Sequence, residues 1–239
     1  MKHLLSLFFI CYFLFGFSQT VKSDLIYKIN QPITKTDKPC PLLILLHGYG
    51  SNEDDLFSMG KLLDSRFTTI SLRAPNAIKD DGYCWYSLEF LADKKFKYNY
   101  KQALESRLKI LSFISNACKV YKLDSNNVFV LGFSQGAIMG YDLALAAPQK
   151  IKGLLALSGR MMEESKNLKT DWTIAARTNY FIAHGNSDNV ILKTESDSAV
   201  KFLKSKQLKK ITFTTYEMSH TISNEELTDI KKWLTAGVK

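Results

Sequence analysis

Four short runs of unbroken apolar residues punctuate the chain: Leu42 to Leu46, Val128 to Leu131, Leu154 to Leu157 and Tyr180 to Ala183. A strand with one solvated face alternates apolar and polar positions, whereas unbroken runs of this length fit strands buried on both faces of a helix-covered parallel sheet. Thr68 to Leu72 and Thr212 to Tyr216 read as further strands, and Leu25 to Ile29 as an early one. Helical periodicity fills the intervals. Ser51 and Asp54 resemble an N-cap with an acid in the first turn, followed by Leu56, Met59 and Leu63 on one face. Leu104, Leu108, Leu111 and Cys118 predict a helix from about Tyr98 to Tyr121, and Gly136 to Ala147 is apolar nearly all round, as a helix buried under a sheet would be. Thr194 to about Lys206 turns Val200 and Leu203 inward, and Ser223 with Glu226 forms a capping-box pattern ahead of Leu227, Ile230 and Leu234. Strands alternating with helices predict a doubly wound α/β fold. Met161 to Asn179 shows no sustained period and is open between helix, loop and cap.

The N-terminus stands apart from this pattern. Met1-Lys2-His3 precedes an uncharged apolar stretch, Leu4 to Phe17, which ends in Gly16-Phe17-Ser18 with small residues where a signal peptidase inspects them. The stretch is too short to span a bilayer, which takes roughly 20 apolar residues. Residues 1–18 are therefore expected to be a cleavable signal peptide, residues 19–239 a single domain without stable membrane insertion, and the protein secreted or periplasmic. The mature chain would keep Cys40, Cys84 and Cys118, an odd number that allows one disulfide at most, with Cys40 and Cys84 the conceivable pair. No Cys-x-x-Cys, His-x-x-x-His or His-Glu-x-x-His spacing supports a metal site. The composition is 46% hydrophobic and 23% charged, which excludes a disordered or disulfide-scaffold chain. The net charge of +9 includes a lysine-rich stretch, Lys201 to Lys210, but that stretch reads as a solvated helix face with few interleaved aromatics, so no nucleic-acid partner is expected.

Chemistry concentrates at Gly132-Phe133-Ser134-Gln135-Gly136, between an apolar strand and an apolar helix. A Gly-x-Ser-x-Gly match arises by composition about 0.04 times in a chain of this size. In that context the serine sits on a tight strand-to-helix turn with its hydroxyl exposed. A serine hydroxyl attacks only when a base takes its proton, and an acid must hold that base in the right tautomer. Outside the leader the histidines are His47, His184 and His220. The chain order Ser, acid, His excludes His47 as the base and favours His220, after the last strand, over His184. The acid is expected at Asp188, in the loop following the Tyr180 run. Asp197 is accounted for by the first turn of a helix, and Asp171 falls in the unreadable stretch. Oxyanion donors are expected from the backbone N–H groups of Gln135 and of Tyr49, in His47-Gly48-Tyr49-Gly50, with His47 holding that loop.

These residues, together with Ser51-Asn52-Glu53-Asp54-Asp55-Leu56, Arg73-Ala74-Pro75-Asn76, Trp85-Tyr86-Ser87, Leu157-Ser158-Gly159 and His184-Gly185-Asn186-Ser187-Asp188, resemble the phospholipase/carboxylesterase family, which includes acyl-protein thioesterases. The resemblance runs from about Leu42 to the last helix. It implies an α/β-hydrolase fold with a mostly parallel central sheet, helices on both faces and minimal or no cap. It also implies no cofactor, a triad of Ser134, Asp188 and His220, and oxyanion donors at Tyr49 and Gln135. Two positions depart from the family pattern: Ser219 stands where Gly often precedes the histidine, and Ser87 where the thioesterase branch often has Asp.

The expected activity is that of a serine carboxylic ester hydrolase acting on small or medium acyl esters through an acyl-enzyme, with lysophospholipase or thioesterase activity, or an inactive binding module, as alternatives. Its expected partner is a small-molecule ester. Trp85, Tyr86 and Leu88, with Met161 and Met162 beyond the Ser158-Gly159 strand end, are expected to supply the substrate-binding surface, at the end of the sheet where ligands bind in such folds.

Overall fold

The computed structural model describes residues 20–33, 38–90 and 96–238; the expected signal peptide lies outside them. Within them run the strands β1 (Tyr27–Asn30), β2 (Leu42–Leu46), β3 (Thr68–Leu72), β4 (Asn76–Ala77), β5 (Tyr83–Cys84), β6 (Leu88–Phe90), β7 (Phe96–Tyr98), β8 (Val128–Phe133), β9 (Gly153–Leu157), β10 (Asn179–Gly185) and β11 (Ile211–Tyr216). The helices are α1 (Phe57–Gly60), α2 (Tyr100–Val120), α3 (Gln135–Ala146), α4 (Glu163–Lys166), α5 (Trp172–Ala175), α6 (Lys193–Ser205) and α7 (Asn224–Gly237).

Seven strands form one sheet in the order β1-β3-β2-β8-β9-β10-β11. Only β1 runs antiparallel to its neighbour; every other pairing is parallel. The unbroken apolar runs are its centre, because successive side chains enter opposite layers. Leu42, Ile44, Leu46, Val130 and Leu154 pack under α2, α3 and α6, while Leu43, Leu45, Leu131 and Leu155 pack against Leu56, Phe67 and helix α7. After β2 the chain moves outward to β3, and it later returns to place β8 on the other side of β2. The C-terminal ends of β2 and β8 therefore flank the switch point where α/β folds bind ligands.

Three elements differ from their sequence signals. The helix expected after Ser51 shrinks to the single turn of α1: Ser51 instead bridges to Tyr83, and Asn52 Oδ1 accepts from the Asp54 amide, an Asx turn that competes with helical bonding. Helix α2 spans the expected range but buries Ala103, Ser106, Ile110, Phe113 and Ala117, leaving Leu108 exposed. The small residues Ala103, Ser106 and Ala117 let the helix lie close, a face that a search for leucines misses. Between Met161 and Asn179 lie the short helices α4 and α5, and Asp171 is the N-cap of α5, accepting from the amides of Thr173 and Ile174. Cys40, Cys84 and Cys118 are all free thiols, so the Cys40–Cys84 pair does not form.

Helix α7 forms half of its capping box. Ser223 Oγ accepts from the Glu226 amide at 3.1 Å, whereas the buried Glu226 carboxylate faces the Ser223 N–H too loosely to complete the reciprocal bond, and neither of its oxygens meets hydrogen-bond geometry with any described group. Burial pushes its pKa up to about 8, from 4.5. An acid held more tightly protonated in the folded state stabilises fully below its unfolded pKa, and that contribution is lost as pH rises toward the folded value. Glu226→Gln keeps the shape and removes the titration. The variant is expected to gain on wild type by on the order of 2–4 kcal/mol between pH 5 and pH 9, read from urea denaturation. Parallel pH profiles for the two proteins would contradict this.

Candidate active site

Ser134 stands alone between β8 and α3. Its backbone, at φ 53° and ψ −117°, is one that L-residues seldom adopt. The flanking glycines make the turn possible: a β-carbon at Gly132 would sit 2.2 Å from the Gly136 carbonyl oxygen, and one at Gly136 would sit 2.0 Å from that of Leu46. No side chain fits at either position. The Ser134 amide donates to Leu157 O at 2.9 Å, which ties the turn to β9.

His220 and Asp188 arrive on the loops after β11 and β10. Those loops are bound to each other by the Asn186 amide on Tyr216 O (2.8 Å) and the Ser187 amide on Met218 O (3.1 Å). They approach so closely at Gly185 that a β-carbon there would lie 2.4 Å from the Met218 carbonyl oxygen. His220 Nε2 lies 2.9 Å from Ser134 Oγ, and His220 Nδ1 lies 2.7 Å from Asp188 Oδ2. A carboxylate only accepts, so the proton sits on Nδ1 and Nε2 is left to accept from the serine hydroxyl. Asp188 Oδ1 accepts from the amides of Val190 (2.9 Å) and Ile191 (3.0 Å). Burial works against the Asp188 carboxylate, but the hydrogen bonds from His220, Ile191 and Val190 outweigh it and hold its pKa below the ordinary value. The arrangement is chemically a hydroxyl, a base aimed at it and an anion holding the base. His184 lies fully buried behind Asp188, its Nε2 2.7 Å from Ile191 O and its Nδ1 2.6 Å from Ser196 Oγ. Asp197 is remote from this chain, on α6, paired with Lys193.

The loop after β2 closes over the serine. A β-carbon at Gly48 would stand 3.4 Å from that of Ser134. The Ala74 amide donates to His47 Nε2 at 3.0 Å, so His47 carries its proton on Nδ1 and donates to Gly48 O at 2.7 Å. In a trans peptide the carbonyl and the following N–H point in opposite directions, so the Tyr49 N–H points away from the His47 ring. Gln135 supplies the first amide of α3, one of the N–H groups a helix leaves without an internal partner. Its side chain spans the neighbouring segment, accepting from the Trp85 amide (2.8 Å) and donating to Tyr86 O (2.7 Å).

A cavity of about 450 Å³ opens at Ser134 and His220, walled by Tyr49, Tyr86, Leu88, Gln135 and Arg160, among others. Its volume lies within the range of small-molecule sites. Tyr86 and Leu88 stand in this wall as the sequence suggests, but Trp85, Met161 and Met162 do not. Trp85 is fully buried and its indole N–H donates to His47 O at 2.9 Å, so it supports the loop after β2 and is not available to sense an acyl chain. Met161 and Met162 are buried in the same hydrophobic core as the inner faces of α2, α3 and α6. Sequence reasoning missed Phe133, Ile138, Arg160, Val190 and Ile191, which complete the wall. Phe133 lies within the Gly132–Gly136 motif, Arg160 directly follows Ser158-Gly159, and the apolar run Val190-Ile191-Leu192 shortly after Asp188 was a readable signal. Among the described residues no group of three His, Cys, Asp or Glu side chains is placed to hold a metal ion.

The sequence pattern of the Phospholipase/Carboxylesterase family matches residues 28–237. The chain belongs to this family. It is similar to acyl-protein thioesterase 1 of Yarrowia lipolytica, 28% identical over 160 residues that cover 65% of this chain and 69% of the relative. It is also similar to acyl-protein thioesterase 1 of Candida albicans, 26% identical over 207 residues covering 80% and 90% respectively. The solved carboxylesterase of Bacillus cereus superposes with a TM-score of 0.74 at 23% identity, over 89% of this chain and 94% of that one, a likeness of fold. As a member of the Phospholipase/Carboxylesterase family the chain is a hydrolase with the α/β-hydrolase fold, and no helix of its described residues is long and apolar enough to cross a membrane.

Proposed function

We propose that the protein is an exported serine hydrolase that cleaves small to medium acyl esters through an acyl-enzyme on Ser134. The observation that carries this reading is the continuous hydrogen-bonded chain Ser134–His220–Asp188 at the floor of the cavity. His220 Nε2 takes the proton as Ser134 Oγ attacks the ester carbonyl carbon. The oxygen that becomes negative is met by the N–H groups of Tyr49 and Gln135. The imidazolium, steadied by Asp188, then gives its proton to the departing alkoxide and leaves the acyl group on Ser134. Water, deprotonated by the same imidazole, releases the acid by the reverse sequence.

Support for the acyl range comes from the apolar lining of Tyr86, Leu88, Ile138 and Ile191, which rewards each buried CH₂ by about 0.8 kcal/mol until the space of about 450 Å³ is full. Support for export comes from the short uncharged stretch Leu4 to Phe17 ahead of Ser18. An exported enzyme meets oxygen esters and not cytosolic acylated proteins, which sets its expected substrate apart from the one named for the acyl-protein thioesterases. The test uses the protein recovered from outside the cytoplasm, weighed intact and assayed on 4-nitrophenyl esters from acetate to dodecanoate and on matched thioesters. A mass beginning at Gln19 and a kcat/KM maximum at butyrate or hexanoate oxygen esters are expected. A chain retaining Met1, a preference for dodecanoate, or a preference for thioesters would contradict the corresponding part.

A further inference from the structure

The chain leaving β9 is held rigidly on its way into the cavity. Ser158 is fully buried at φ 48°, a left-handed backbone unusual for serine, and its amide donates to Ala183 O at 2.9 Å. At Gly159 a β-carbon would come within 2.5 Å of that of Ala137, so this backbone lies directly on α3. The next residue is Arg160, which lines the same cavity as Ser134 and His220. Its guanidinium lies 5.8 Å over the ring of Tyr98, and Tyr98 packs at 5.8 Å against Tyr86 in the cavity wall. Burial raises the Tyr86 phenol and the charge of Arg160 works against that rise, which places the cation on the Tyr86 side of the cavity.

Among the described residues three acidic groups lie nearby, of which Asp142 is held in the core by Arg107 and Ser165. Asp55 also borders the cavity, but it is shared, along with Phe133 and His220, with the adjoining hollow of Leu56, Met59 and Thr221, which Arg160 does not reach. The Glu164 carboxylate accepts the Tyr98 hydroxyl. The wall also includes Leu88 and Ile138, apolar surface beside which a positive charge acts more strongly on a bound ligand than it would in water. A planar guanidinium presents paired donors matched to a carboxylate.

We propose that Arg160 determines substrate specificity by binding an anionic group, so that the preferred esters carry a carboxylate on their acyl or alcohol half. This rests on the hydrolase reading above and narrows its substrate class.

The test compares two matched ester pairs. The 4-nitrophenyl esters of glutarate and valerate differ by a carboxylate on the acyl side; the valerate esters of 4-hydroxybenzoate and of its methyl ester differ by one on the alcohol side. Wild type is expected to favour the anionic member of at least one pair in kcat/KM. That ratio should fall by about 10- to 100-fold in Arg160→Gln, chiefly through KM, and be largely kept in Arg160→Lys. Wild-type preference for the neutral member of both pairs would overturn the proposal whether or not the variants fold, and so would an equal ratio in Arg160→Gln. Failure of wild type to hydrolyse any of the four esters would instead overturn the hydrolase reading beneath it.

Discussion

Replacing Ser134 by alanine is expected to lower kcat on 4-nitrophenyl butyrate by on the order of 10⁴ to 10⁶, with the melting temperature little changed. The size follows from the role. Without Oγ no acyl-enzyme can form, and what remains is the catalysis that bound water obtains from the oxyanion donors alone. The fold should survive because among the described residues Oγ bonds only to His220, while the turn is held by the Ser134 amide on Leu157 O and by the backbone approaches at Gly132 and Gly136, all of which alanine keeps. Alanine tolerates the left-handed backbone about as poorly as serine does, so little strain is added. Retention of a tenth of wild-type turnover would mean that another group is the nucleophile.

The second large effect belongs to the acid. Asp188→Asn is expected to reduce kcat by about 10⁴, because an amide can donate to His220 Nδ1 and so favour the tautomer that leaves Nε2 protonated and unable to accept from Ser134. The amides of Val190 and Ile191 still find an oxygen acceptor, so the loop should hold. Asp197→Asn is the control. It loses only a half-exposed pair with Lys193, a kind of contact worth well under 1 kcal/mol, and should leave turnover within about twofold. Comparable losses in the two variants would show that the acid loop has been assigned to the wrong strand.

The sequence made the sheet legible because its centre is buried on both sides. Leu42 to Leu46 has no solvated position, and a run this short matches a strand buried on both faces, where a buried helix would need more residues. The nucleophile was legible for a related reason: a β-carbon at Gly132 or Gly136 collides with backbone, so the glycine spacing records a steric fact. Helix α2 was read over the correct range but with a misplaced inner face, since Ala103, Ser106 and Ala117 contribute closeness and little hydrophobicity. The cavity wall was the least legible part. Its residues come from the end of β8, from β6 and α3, and from the loops after β2, β5, β9, β10 and β11, which share no period, and their grouping exists only once the parallel strands have brought their C-terminal ends together. Trp85 shows the converse error. A large aromatic beside a binding loop suggested ligand contact, but its N–H was already engaged by His47 O, and the ring serves the loop from behind.

Activation of Ser134 as a nucleophile by His220 is tested most directly by covalent capture. Wild type and Ser134→Ala are treated with a fluorophosphonate, weighed intact and digested to locate the adduct. The predicted result is one phosphonyl group per wild-type chain, on the peptide containing Gly132-Phe133-Ser134-Gln135-Gly136, and none on the variant. An unmodified wild-type chain, or an adduct that persists in Ser134→Ala, would contradict it.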